Sequence, residues 1–178
     1  MSKLFDINLI LNKIGITEGW QILEAGCGQF GHFVFPSAKL VGKQGRVFAA
    51  DIIKSHLEEI ERQKRTDNLP QITTIWTNLE VWQGTKISAG TLDAVLLVNT
   101  LNQTEKRNET LQELVRIIKR DGKLLIIEWK EHDLLFGPKT EKRINRENLK
   151  ALAQKLGLKL IDEFEAGALH YALIFKKL

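Results

Sequence analysis

The sequence is poor in cysteine and has no long apolar run. Its single cysteine, Cys27, cannot form an internal disulfide. One cysteine also cannot supply the three or four thiolates of a cysteine-rich structural zinc site. The N-terminal stretch carries Asp6 and Asn8 and shows no signal-peptide cleavage pattern, and no segment approaches the roughly 18 uninterrupted apolar residues of a membrane span. We therefore expect a cytoplasmic chain without a membrane span or a bound metal.

Charged residues are spread along the chain. The 26 lysines and arginines exceed the 22 acidic residues by four, and they form no basic arm. The densest basic stretch, residues 62–65, follows acidic residues on a predicted helix, which favours a solvated helix face. The charge supports nucleic-acid binding only weakly, and an RNA substrate stays a minority alternative.

Apolar periodicity predicts a regular alternation of helices and strands, with no repeat or linker to divide it. A length of 178 residues suits one domain, so we expect a single domain over 1–178 that begins with a helical segment at 1–19. The predicted strands are 21–25, 46–50, 72–76, 94–98, 124–129, 159–164 and 171–176. The predicted helices cover 6–15, 32–41, 55–65, a stretch through 111–118 that ends near 122, and a stretch closed by 157.

The last two predicted strands indicate a hairpin. About six residues, 165–170, separate them, which is too few for a parallel crossover. The alternation elsewhere favours a mainly parallel sheet. We predict an α/β fold: a Rossmann-like three-layer sandwich with a mostly parallel seven-stranded sheet, closed by an antiparallel edge strand from the hairpin. His170, in the connection, is expected to face solvent.

A glycine-rich loop follows the first predicted strand. Residues 26–31 form a G-x-G-x-x-G motif, and Asp51 lies about twenty residues further on, at the end of the second strand. The glycines permit a tight turn and close approach of a nucleotide-like ligand to the backbone. The motif alone does not choose the cofactor. Cys27, inside the loop, is predicted to be a packing residue rather than a nucleophile.

Glu24 favours a cationic cofactor. Its carboxylate, two residues before the first glycine, would repel the doubly negative pyrophosphate of a dinucleotide. S-adenosylmethionine instead offers a positively charged amine and sulfonium, which attract a partly shielded carboxylate. Asp51 can accept hydrogen bonds from both ribose hydroxyls with either cofactor. The terminal hairpin also argues against a nicotinamide-dependent oxidoreductase, which is the less favoured alternative.

Segments along nearly the whole chain resemble the motifs of one family. They are 22–28, 38–42 leading through 45–47 to Asp51, 92–95, 116–124 with 128–130, 137–138 and 143–144. The chain resembles a class I S-adenosylmethionine-dependent methyltransferase of the compact ubiquinone-biosynthesis-like group. The resemblance implies S-adenosylmethionine as cofactor. The cofactor-binding residues expected from it are Glu24, Ala25, Gly26, Cys27, Gly28, Gly31, Asp51, Ile52, Asn78, Leu79 and Asn99.

Two positions depart from that family. Gln29 and Phe30 precede the third glycine, so the loop is one residue longer, and Phe30 or Gly31 is expected to line the pocket in an unusual way. Asn78 stands where the family commonly has an aspartate that accepts a hydrogen bond from the adenine amine. The amide oxygen of Asn78 can still accept one.

The acceptor side of the site is less determined. Asn99, Thr100 and Asn102 follow the fourth predicted strand, at the carboxyl edge of the sheet, and are candidates for the substrate mouth. Ordinary loop polarity explains them equally well. Few residues precede the first strand and no large insertion supplies a lid, so we expect a second subunit, as in a homodimer, or the substrate itself to complete the site.

Methyl transfer from a sulfonium is an in-line displacement that needs positioning and no acid. A base is required only if the acceptor must lose a proton. Glu128, His132 and Asp133 are candidate bases, and the sequence selects none as the catalytic residue. The leading hypothesis is an enzyme for a small or medium-sized acceptor, with RNA as runner-up. A scaffold that keeps the fold without turnover is an alternative.

Overall fold

The computed structural model describes residues 6–131 and 137–178. The strands are β1 Gln21–Ala25, β2 Arg46–Asp51, β3 Ile72–Trp76, β4 Leu92–Val98, β5 Ile118–Trp129, β6 Leu158–Glu165 and β7 His170–Lys177. The helices are α1 Ile7–Ile14, α2 Val34–Val41, α3 Lys54–Thr66, α4 Arg107–Ile117 and α5 Arg146–Lys155, with short 3-10 turns at Leu101–Gln103 and Thr140–Lys142. Within these residues no helix has both the length and the apolar character to cross a bilayer.

All seven strands form one sheet in the order β3-β2-β1-β4-β5-β7-β6. The pairs among β1 to β5 are parallel, and β7 is antiparallel to both of its neighbours. Apolar residues of α1, α2 and α3 pack on one face of the sheet, and those of α4 and α5 pack on the other. The predicted three-layer α/β sandwich is confirmed.

The antiparallel strand is not at the edge of the sheet, and that part of the expectation is wrong. β7 lies between β5 and β6, so β6 forms the edge. The reason is composition: β7 is buried over its first six residues, whereas β6 alternates buried, intermediate and exposed positions. A strand that is apolar on both faces is more stable in the interior of a sheet.

Helix α4 is shorter than predicted. It ends at Ile117, and β5 begins at Ile118, which pairs with Leu92 of β4. The predicted helix extended to about Gly122 because Ile118 continued its apolar spacing. Asp121 has a left-handed backbone with φ 65°, which a continuous helix does not permit. Pairing with β4 therefore overrides local periodicity in this segment.

His170 is buried, contrary to the expectation that it faces solvent. It opens β7 opposite Trp129 of β5, and its ring centroid lies 4.1 Å from that of Trp129. Its exposed fraction is 0%. Burial lowers the pKa of His170 to about 4, and the nearby Lys130 charge acts in the same direction. The imidazole is therefore neutral at physiological pH and serves as packing behind Trp129.

Candidate functional site

A cleft opens at the carboxyl ends of the strands where the strand order reverses, between β1 and β4. Ligands of open parallel sheets bind at this switch point. The cleft has a volume of about 280 Å³. We call it the glycine-loop cleft, and its lining is Gly26, Gly28, Asp51, Ile52, Ile53, His56, Thr77, Asn78, Leu79, Glu80, Thr100, Gln103 and Thr104.

The glycine loop is held against the ends of β2 and β4. The backbone amides of Gly26 and Cys27 both donate to the carbonyl of Ala50, at 2.8 and 3.0 Å. Gly26 has φ 75°, and a Cβ there would lie 2.6 Å from Thr100 Cγ2. The Thr100 hydroxyl donates to the carbonyl of Ala25 at 3.1 Å. Glycine is therefore required at position 26 for the loop to pack directly against the Thr100 side chain.

Asp51 organises the bottom of the cleft. Its Oδ2 accepts from the Gly28 amide and its Oδ1 from the Ile53 amide, both at 2.9 Å. His56 Nδ1 lies 3.3 Å from Oδ2. A carboxylate has about four lone-pair sites, so both oxygens retain the capacity to accept a further hydrogen bond. The residue thus fixes the loop and can still bind a ligand hydroxyl.

Glu24 lies beneath the start of α2 with 3% of its surface exposed. The backbone amides of Phe33 and Val34 donate to its carboxylate. Oε2 has no hydrogen-bond partner among the described residues. Burial raises the pKa of Glu24 to about 8, which those amides oppose and the Asp51 charge reinforces. A buried carboxylate oxygen without a partner is costly, and a cation bound beside it would relieve that cost.

Further unpaired polar atoms surround the same cleft. Thr77 Oγ1 is buried and has no hydrogen-bond partner among the described residues, whereas the buried His56 Nδ1 has the 3.3 Å approach to Asp51 Oδ2 but no hydrogen bond within those residues. Both residues line the cleft. Such atoms are uncommon in native structures and often mark a site for a ligand or an ordered water.

The far end of the cleft is more apolar. Ile52 is exposed and Leu79 is buried, and both line the cavity with Asn78. The side-chain oxygen of Asn78 accepts from the Glu80 amide at 2.9 Å, which closes a local turn. It retains one lone pair for a ligand amine.

The structure brings only part of the expected cofactor set to the cavity surface. The predicted residues that line the glycine-loop cleft are Gly26, Gly28, Asp51, Ile52, Asn78 and Leu79. Glu24, Ala25 and Cys27 are buried around it. Asn99 lines a neighbouring cavity.

The longer loop does not bring Phe30 or Gly31 into the lining of the cleft. A Cβ on Gly31 would lie 2.6 Å from Ile60 Cδ1, so its bare Cα packs against α3. Phe30 is 64% exposed. The expectation that one of them lines this pocket is not supported by the lining residues.

Cys27 packs in the core, as predicted. It is buried beside α2 and α3. Burial and the nearby Glu24 charge raise the pKa of its thiol well above the ordinary value. A thiol held in the protonated form is a poor nucleophile.

A second cavity of about 720 Å³ adjoins the first. We call it the tryptophan cavity, and its lining is Asn99, Asn102, Gln103, Trp129, Gly137, Pro138, Lys139 and Lys142. Gln103 lines both cavities and donates to the Asn99 carbonyl at 2.6 Å. Asn99 has a left-handed backbone with φ 51°, and its buried Oδ1 has no partner among the described residues.

Glu128 does not face the tryptophan cavity. It is fully buried, and its two oxygens accept from the backbone amide and the Nδ2 of Asn102, at 3.2 and 2.7 Å. Burial raises the pKa of Glu128 to about 7 despite these bonds. The carboxyl group therefore anchors the 3-10 turn after β4. The other two candidate bases, His132 and Asp133, lie outside the described residues.

Sequence reasoning missed several residues of the glycine-loop cleft. They are Ile53, His56, Thr77, Glu80, Gln103 and Thr104. Thr77 could have been found, because it directly follows β3 at the same carboxyl edge of the sheet at which Asp51 ends β2. Gln103 and Thr104 could not, since the 3-10 turn that brings them to the cleft has no clear sequence signal.

These features define the class of protein: a Rossmann-like fold with a ligand cleft at the switch point, as in methyltransferases. The family model described as a methyltransferase domain matches residues 16–167. The chain therefore belongs to this methyltransferase-domain family.

Individual relatives agree with the family. Over 156 residues the chain is 24% identical to an arsenite methyltransferase of Mus musculus, covering 79% of this chain and 41% of that protein. Over 120 residues it is 28% identical to a ubiquinone/menaquinone biosynthesis C-methyltransferase of Rhizobium johnstonii, covering 65% of this chain and 44% of that one. The chain thus spans less than half the length of these curated relatives.

A solved structure shows the same fold. A SAM dependent methyltransferase from Aquifex aeolicus superposes with a TM-score of 0.89 at 22% identity, covering 98% of this chain and 91% of that one. The superposition supports the fold and its sheet order.

Proposed function

We propose that this protein is an S-adenosylmethionine-dependent methyltransferase and that the glycine-loop cleft binds the cofactor. The observation that carries the proposal is the buried Oε2 of Glu24, which has no hydrogen-bond partner within 6–131 and 137–178. It lies next to a loop whose Gly26 and Gly28 line the cleft. A cation is the ligand that such an oxygen favours. The pyrophosphate of a dinucleotide would meet repulsion from Asp51, and from Glu24 wherever that carboxyl is ionised.

The chain supplies binding and orientation. Glu24 would hold the cationic amino-acid end, Asp51 would accept the ribose hydroxyls, and Asn78 with Ile52 and Leu79 would surround the adenine. The cofactor supplies a methyl group on a sulfonium, which leaves as a neutral thioether. The protein therefore has to place the acceptor in line with that methyl group and exclude water.

The acceptor we propose is a small molecule that enters through the tryptophan cavity. Arsenite, the acceptor named for one relative, is disfavoured because trivalent arsenic is a soft centre that prefers thiolates, and the one cysteine of the chain is buried. An RNA acceptor has only the modest net charge of +4 in its support. We also place the protein in the cytoplasm, where a free thiol stays reduced.

A thermal-shift measurement tests the cofactor. S-adenosylmethionine and its demethylated product should raise the melting temperature, because a ligand at a hundred times its dissociation constant adds about 2.7 kcal/mol to the free energy of unfolding. NAD at the same concentration should have no effect. A shift with NAD alone would favour an oxidoreductase, and no shift with either would remove the proposal.

Replacing Gly28 with alanine tests the location of the site. Gly28 has φ 61°, and a Cβ there would meet nothing within 4 Å, since it faces open space at the cleft. We expect about 1 kcal/mol of backbone strain and at least a roughly tenfold weaker cofactor affinity from the added methyl group, about 1.4 kcal/mol. Titration calorimetry measures the affinity.

Gly90→Ala is the matched control for this change. Gly90 has φ 64° and is equally open around the added Cβ, but it lies in the turn before β4. It should carry the same strain and leave the affinity unchanged. Equal affinities for the two variants would place the cofactor elsewhere.

A further inference from the structure

The two adjoining cavities have side chains of opposite charge. Asp51 and Glu80 line the glycine-loop cleft, with Glu24 beneath it. Lys139 and Lys142 line the tryptophan cavity, and no acidic residue appears among the described residues of its lining. A cavity lined by charges of one sign raises the local concentration of ligands of the opposite charge.

Among residues 6–131 and 137–178, no acidic side chain pairs with the lysines that line the tryptophan cavity. In this part of the chain, neither Lys139 nor Lys142 takes part in an ion pair. The buried carboxyl group of Glu128, next to Trp129 in β5, accepts hydrogen bonds from Asn102. Glu131 accepts from Asn145 and from the backbone amide of Arg146, so it is directed to α5.

The other walls suit the body of an organic molecule. Trp129 packs against His170 on β7 and against the bare Cα of Gly137, where a Cβ would lie 2.6 Å from the indole. The indole is therefore held in place and forms a rigid apolar surface. Asn99 also lines the cavity, and its Oδ1, which has no partner in the part of the chain that the structure describes, offers one hydrogen-bond acceptor.

We propose that the methyl acceptor is an organic anion held in the tryptophan cavity by Lys139 and Lys142, and that it reacts in its deprotonated form. This inference rests on the proposed function and adds the charge class of the acceptor. Asn99 would accept a hydrogen bond from a remaining donor on the same molecule and so act as a positioning residue.

The chemistry balances without a base from the protein. The acceptor loses its proton to solvent before transfer, since two nearby cations favour its ionised form. Its lone pair then forms a bond to the methyl carbon while the electrons of the sulfur–carbon bond move to sulfur. The negative charge of the acceptor and the positive charge of the sulfonium are neutralised in the same step.

Binding of matched fragments tests the charge preference. Aromatic carboxylates, the corresponding amides and the corresponding amines would be titrated by ligand-observed NMR into protein saturated with the demethylated cofactor. Carboxylates should bind more tightly than their amides and amines. In Lys139→Gln/Lys142→Gln they should bind about tenfold more weakly, since each exposed pairing contributes under about 1 kcal/mol.

Lys39→Gln/Lys43→Gln removes the same charge from two exposed lysines of α2 and the turn after it, and it should leave binding unchanged. Amines or amides that bind as well as carboxylates, absence of carboxylate binding, or equal losses in both double variants would overturn the inference. Cofactor affinity, measured separately by thermal shift, should be the same in all three proteins. If the wild-type protein did not bind the cofactor at all, that result would instead refute the proposed function.

Discussion

Glu24→Gln should weaken the binding of S-adenosylmethionine by a factor of about a hundred or more. The substitution keeps the shape of the side chain and removes the charge that we propose pairs with the cofactor amine. Leaving one member of a buried ion pair uncompensated costs about 3 to 5 kcal/mol. Titration calorimetry at pH 8.5, where the wild-type carboxyl is mostly ionised, measures the loss.

The same variant should make the free protein more stable at alkaline pH. The pKa of Glu24 is about 8 in the native state against 4.5 for an ordinary glutamate, so between these values the native state holds a proton that the unfolded chain has released. The free energy of unfolding of the wild type therefore falls by about 1.4 kcal/mol per pH unit in this interval. Glutamine has no proton to release.

Urea denaturation should show nearly equal stabilities for the two proteins near pH 5. By pH 8 the variant should be more stable by about 4 kcal/mol, the sum over three pH units. Cofactor affinity of the wild type should rise over the same interval, since binding requires the ionised carboxyl. A variant that gains no stability, or that binds the cofactor like the wild type, would show that Glu24 is not the anchor.

Glu113→Gln provides the matched control. Glu113 is also fully buried, but it accepts hydrogen bonds from Gln83, Thr85 and Arg116. Burial alone would raise the pKa of Glu113, yet the bonds from Arg116 and Thr85 hold it below its usual value. The Glu113→Gln variant should have a lower free energy of unfolding than the wild type above pH 5, and its cofactor affinity should be unchanged. The two buried glutamates should thus respond in opposite directions.

Asp51→Ala should reduce cofactor affinity by at least about a hundredfold and also destabilise the fold. The affinity loss follows from the removal of a charged acceptor for two ribose hydroxyls, roughly 1.5 to 3 kcal/mol each. The stability loss, about 2 kcal/mol, follows because the amides of Gly28 and Ile53 lose their acceptor. Calorimetric titration and urea denaturation separate the two effects.

Asp93→Ala is the control for the structural part. Asp93 accepts from the Gln21 amide at 2.8 Å and from Lys119 Nζ at 2.7 Å, at the opposite edge of the sheet. Its loss should cost about 1 kcal/mol of stability and nothing in affinity. An Asp51 variant with the affinity of the wild type would refute the ribose assignment.

The elements that are defined by local signals were the most predictable. β1 and β3 have the predicted limits, and α1 is capped by Asp6 and ended by Gly15 as expected. These are local features, because apolar spacing, a capping side chain and a left-handed glycine act within a few residues. The errors arose where a distant partner decided the outcome, as in the pairing of Ile118 with β4.

The sequence by itself determined the alternation of strands and helices, the glycine loop and the presence of Glu24 and Asp51 at the ends of the first two strands, since each depends on neighbours in the chain. Tertiary structure alone decided which polar atoms are left without partners. Burial leaves Glu24 Oε2 without a hydrogen-bond partner among the described residues. It also turns Glu128 to Asn102 and packs His170 against Trp129. Desolvation and hydrogen bonding depend on atoms from segments far apart in the chain, which no local pattern records.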